Sequence, residues 1–140
     1  MKLTRTSKRA SGMTLLELTV VILVLLSLIS ILFVGARAWK KGSDRSANIM
    51  NIRNAQQAVR GHQNMRNLNE TDPVTEVDIF GTLGDGVGAY LRKPTPPATD
   101  ITDYTGTGTV PPVGTLWLVA TYTGTGAVDY APAAGSYADW

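Results

Sequence analysis

The sequence predicts an α+β chain in which one long N-terminal α-helix packs on a small antiparallel β-sheet head. Three observations carry this. Met13 to Val34 is an apolar run with a single charge, Glu17. Beyond it, Ile49, Ile52, Ala55, Val59 and His62 recur at spacings of three and four, the period of a helix with one buried face. The last forty residues are rich in Thr, Tyr and Gly, and repeat Tyr-Thr-Gly-Thr-Gly at 104–108 and 122–126, the chemistry of strands and turns.

In chain order, Lys2, Arg5, Lys8 and Arg9 make a basic start that ends at Gly12. The apolar run follows. A helix over Met13 to Val34 spans roughly 33 Å, close to the roughly 30 Å of a bilayer's hydrocarbon core. Leu, Ile and Val occupy all of its faces, which suits lipid or the inside of a bundle. Trp39 stands just past the end, where an aromatic is favoured at a membrane interface. Basic residues flank both ends, so charge alone does not set the orientation.

Past Trp39 the pattern turns amphipathic, with Ala58 and Met65 beside the apolar stripe and Arg45, Arg53, Arg60 and Arg66 largely off it. Gly42-Ser43-Asp44 reads as a local break and re-cap, with Gly35 and Gly42 the places for a bend. Asn67-Leu68-Asn69 ends the helix. Asp72-Pro73 reads as the cap and first position of a short helix to Phe80, before Gly81. Gly81 to Gly88 is a loop without the Lys-Ser/Thr of a phosphate cradle. Thr115 to Tyr122 is the best strand, with Ile101–Tyr104 and Ala127–Tyr130 on either side. Together they predict a three-stranded meander, its two repeat copies forming similar hairpin turns.

Composition narrows function. The chain has no cysteine, which removes disulfides, thiolate metal sites and Cys nucleophiles. His62 is the single histidine and reads as packing under the head. No Ser/His/Asp set or carboxylate pair points to an enzyme. The basic stretch from Arg37 to Arg66 lacks interleaved aromatics and any reader motif, so no nucleic acid is specifically implied. It reads as a solvated surface, or as a face that meets an acidic head in a neighbouring copy. From Glu70 onward the balance is acidic.

Two simple accounts of the apolar run are a secretory signal cut after Ala38 and an uncleaved anchor retaining Met1. The first releases a soluble binding module whose Thr/Gly/Tyr region contacts a polymer. The second leaves a membrane-anchored exported protein. The run is longer than a usual signal core, it holds Glu17, and it starts abruptly after Gly12.

The stretch Gly12-Met13-Thr14-Leu15-Leu16-Glu17-Leu18-Thr19-Val20-Val21-Ile22 resembles the class III signal of type IV prepilins and of the pseudopilins of type II secretion systems. The resemblance implies a lollipop fold in four parts: leader 1–12, membrane and filament-core helix 13–36, amphipathic half-helix 37–69, and head 70–140. It implies cleavage between Gly12 and Met13 by a prepilin peptidase, N-methylation of Met13, and an assembly role for Glu17, fifth in the mature chain. The partners implied are further copies of the chain, the peptidase, and an inner-membrane platform with its ATPase. The location implied is the bacterial inner membrane, single-pass, with the leader cytoplasmic and the head periplasmic, then a filament. A small head without paired cysteines favours a type II secretion pseudopilin over a pilus subunit acting in adhesion, motility or DNA uptake. The Gly and Pro often found at the fourteenth and twenty-second mature positions are here Leu26 and Val34. Some pseudopilins bind calcium near the C-terminus, for which Asp100, Asp103 and Asp129 are the oxygen donors available. No loop has the ligand spacing of a dedicated calcium site, and the expectation is no resident cofactor.

Overall fold

A computed structural model describes Gly12 and residues 14–140. The fold is α+β. Helix α1 covers Leu15–Arg66, α2 Glu76–Phe80, β1 Ile101–Gly106, β2 Leu118–Tyr122 and α3 Gly126–Tyr130. Residue contacts divide the chain after Ala38 into two units.

In the first unit every described residue is exposed, including the whole apolar run from Leu15 to Val34. The helix starts on a local device. The Glu17 carboxylate accepts from the Thr14 N–H at 2.8 Å and the Thr14 hydroxyl at 3.0 Å, while the Glu17 N–H donates to that hydroxyl at 3.3 Å. This reciprocal box satisfies donors that a first helical turn leaves free.

In the second unit α1 buries Asn48, Ile52, Ala55, Gln56, Val59 and His62, the stripe that the periodicity predicts plus two polar residues it does not. Ile49 is only half-buried and Met65 is exposed. The stripe packs against Val74, Ile79, Phe80, Ile101, Tyr104, Trp117 and Leu118 in a single core. Helix geometry passes unbroken through Gly42-Ser43-Asp44, so the expected break and re-cap is absent. Asp44 instead accepts from Lys40 one turn back at 2.6 Å. The helix stops where the sequence places its end: Asn67 takes a left-handed conformation and the Leu68 N–H returns to the Gln63 carbonyl.

Four other expectations are corrected. Asp72-Pro73 does not open α2. That stretch pairs with 108–110 through Thr71 N–H to Val110 O, Val110 N–H to Asp72 O and Val74 N–H to Gly108 O. Thr75 is the cap, and the Asp78 carboxylate accepts its N–H at 2.8 Å and its hydroxyl at 2.7 Å. Ala127–Tyr130 is not a strand but most of α3, so the sheet has two antiparallel strands rather than three. The predicted strand from Thr115 begins only at Leu118, because a side chain takes the place of a neighbouring strand over 115–117. Gln56 Nε2 donates to the Thr115 carbonyl at 3.1 Å and Gln56 Oε1 accepts from the Trp117 N–H at 2.9 Å.

A register shift between Ile101 and Asp103 adds one residue to β1. It leaves Thr102 and Asp103 both outward and Ile101 and Tyr104 both in the core. The repeat copies are not two similar hairpin turns. The first runs out of β1, the second leads into α3, and a ten-residue span separates Thr107 from Leu118.

Candidate functional site

The sequence points to the start of α1. Gly12 is exposed, and Glu17 sits in the first turn of α1 with its carboxylate on Thr14. Met13, which follows the expected cleavage point, lies outside the described residues, as do residues 1–11 of the expected leader. Glu17 therefore holds the amide next to the predicted new terminus. The Thr-x-x-Glu spacing is a capping signature legible in the sequence, and the sequence reading missed it. Beyond it α1 is long and apolar enough to cross a membrane.

In the second unit the polar groups of α1 grip the head. The Tyr104 hydroxyl donates to Asn48 Oδ1 at 2.6 Å, while Asn48 Nδ2 donates to the Tyr122 hydroxyl at 3.1 Å and the Tyr130 carbonyl at 2.9 Å. The first residue of each repeat copy thus converges on one buried amide. Burial pushes both tyrosine hydroxyls up, which keeps them neutral hydrogen-bonding groups.

The basic face of α1 is largely used within the chain. Arg60 donates to the Pro111 carbonyl at 2.9 Å and the Trp140 carbonyl at 3.3 Å, and the Arg53 guanidinium lies 5.4 Å from the Trp140 ring centre. Lys41 meets Asp129 of α3 at 2.7 Å. That hydrogen bond holds the Asp129 carboxyl below the ordinary range, helped by Thr125, and raises the Lys41 ammonium.

The three aspartates available for calcium are spread over different partners. Asp129 engages Lys41, and Asp103 accepts from the Tyr104 N–H at 2.7 Å with Lys93 at 3.8 Å. The Asp100 carbonyl, not its carboxylate, accepts from the Thr123 N–H at 2.8 Å. Among the described residues no three Asp, Glu, His or Cys side chains gather where an ion could sit.

His62 is buried, with Tyr90 edge-on at 5.4 Å between ring centres, and its Nδ1 has no hydrogen-bond partner. Comparison with protein-family models, with curated proteins and with solved structures returns no match. The functional reading therefore stands on the residues themselves.

Proposed function

We propose that this chain is a non-enzymatic structural subunit of a type IV filament, and within that class a pseudopilin of a type II secretion system. The observation that carries the reading is the start of α1. An apolar segment exposed at every residue from Leu15 to Val34 is covered by none of the described residues of its own unit, and it opens on Gly12 and Glu17 at prepilin spacing. Such a surface needs lipid or other copies of itself.

Both serve in turn under this reading. The subunit waits in the inner membrane with its leader cytoplasmic and its head periplasmic. A prepilin peptidase cuts after Gly12 and methylates Met13. An assembly platform and its ATPase then lift subunits into a helical filament whose core is their apolar helices. A carboxylate in that core is costly unless paired. Glu17 satisfies itself on Thr14 in the single chain. In the filament it turns to the charged terminal amine of Met13 in a neighbour, and the pair sets axial register as one buried polar group does in a coiled coil. Growth of the filament pushes secreted proteins outward.

The deciding experiment is the intact mass and N-terminal sequence of native material from its own host. The expected chain starts at N-methylated Met13. A chain starting at Trp39, or one retaining Met1, overturns the reading and leaves the head as the functional part.

A further inference from the structure

We propose that the hollow beside the end of α1 binds a soft monovalent cation of the Cu(I) class through the imidazole of His62 and the thioether of Met65. The hollow measures ≈ 280 Å³ and is lined by His62, Met65 and Arg66 of α1, Val77 and Asp78 of α2, and Tyr90. His62 is 6% exposed, and its buried Nδ1 has no hydrogen-bond partner. Leaving such an atom unmet is unfavourable, and in native folds an orphan of this kind marks a functional role, a water or an ion.

Tyr90 touches both donor side chains. Its ring stands edge-on to the imidazole, and its hydroxyl lies 3.6 Å from Met65 Sδ. His62 and Met65 are three residues apart on one helix and so share a face. Met65 is exposed and unbranched, so its sulfur reorients without moving the backbone.

The donor set chooses the ion. Imidazole and thioether are neutral, and thioether selects Cu(I) over hard cations. The one carboxylate at the hollow, Asp78, is turned to the N–H and hydroxyl of Thr75. Arg66 also lines the hollow, and its positive charge repels a divalent ion about twice as strongly as a monovalent one. The clusters of three carboxylates or imidazoles that hard and divalent ions favour are absent among the described residues. With one histidine and no cysteine in the chain, no second imidazole and no thiolate competes.

The test uses the full chain in detergent, titrated with silver nitrate in chloride-free buffer, Ag(I) standing in for air-sensitive Cu(I). Methionine methyl and imidazole nitrogen resonances report the ligands. The expected result is one tight equivalent that shifts the Met65 methyl and His62 Nδ1, no competition from equimolar Zn(II), and at least tenfold weaker binding in His62→Gln and in Met65→Leu. Met65 is exposed, so Met65→Leu tests the site even where His62→Gln disturbs folding. Met50→Leu, also at an exposed methionine, is expected to bind as the parent does. Undiminished binding in Met65→Leu, an equal loss in Met50→Leu, no saturable binding, or displacement by Zn(II) overturns the proposal.

Discussion

Single residues decide how closely the head closes, and glycines show it in opposite senses. A Cβ at Gly106 would lie 2.6 Å from Cζ2 of the buried Trp117 ring. Gly106→Ala is therefore expected to destabilise the head by about 1–3 kcal/mol, the usual cost of overpacking. Gly61 lies inside α1 and would meet nothing within 4 Å. Gly61→Ala is expected to stabilise by about 0.5–1 kcal/mol through helix propensity alone. Denaturant melts of the two variants should move in opposite directions, and a neutral Gly106→Ala would show that Trp117 has room to retreat. Gln56 is the polar counterpart. Its amide copies a neighbouring strand for Thr115 and Trp117. Gln56→Ala leaves a buried N–H and a carbonyl unmet and is expected to cost roughly 2–4 kcal/mol, while Gln56→Glu keeps the acceptor and loses the donor. Neither effect is visible in the sequence, where Gln56 reads as surface because its partners lie about sixty residues away.

At the scale of elements, legibility followed the range of the forces. The apolar period of α1, its end at Asn67 and the stop of α2 before Gly81 depend on neighbours in sequence, and they were readable. Ala127–Tyr130 was not: Val128 and Tyr130 favour a strand, but Thr125 and Asp129 close a turn from within, and Lys41 holds Asp129 from α1. Asp72-Pro73 looked like a helix start because its pairing with 108–110 is non-local. At the candidate site, the Thr-x-x-Glu box at the start of α1 rests on neighbours in sequence, whereas the His62–Tyr90 contact needed the fold. The two five-residue helices also share a vulnerability. Asp78, bonded to Thr75, and Asp129, bonded to Lys41, both ionise below their ordinary range near 4 in the folded chain. A depressed carboxyl contributes stability above its unfolded value and loses it as pH falls through the folded one. Amide protection over 76–80 and 126–130, taken relative to the intrinsic exchange rate at each pH, is therefore expected to fall below about pH 4 before the core responds. Asp78→Asn should flatten that dependence in α2 alone. The Lys41–Asp129 bond has the opposite limit as well. The raised Lys41 ammonium keeps it through neutral pH, and it is lost only as pH rises through the lysine's folded value.

For the molecule as a whole the open question is what Glu17 is for, because the local box with Thr14 already explains a carboxylate in the first turn. Capping and assembly make different demands. If capping were its only task, Thr14→Ala and Glu17→Ala would behave alike, each slightly weakening the start of α1, with packing in the assembled state covering the loss. Pairing with a neighbour's terminal amine needs a full negative charge at position 17 and nothing from the Thr14 hydroxyl. On that account Thr14→Ala assembles close to normally. Glu17→Ala and Glu17→Gln both fail, although Gln retains an acceptor for the cap, and Glu17→Asp falls between because its reach is shorter. Under the proposed filament role, filament yield from cells expressing each variant, compared at equal membrane level and equal cleavage of the expected leader, separates the two accounts. Equal cleavage matters because an uncut leader leaves Met13 without the free amine that Glu17 is proposed to meet. Assembly of Glu17→Gln at parental yield would leave Glu17 a capping residue and remove charge pairing from the filament core.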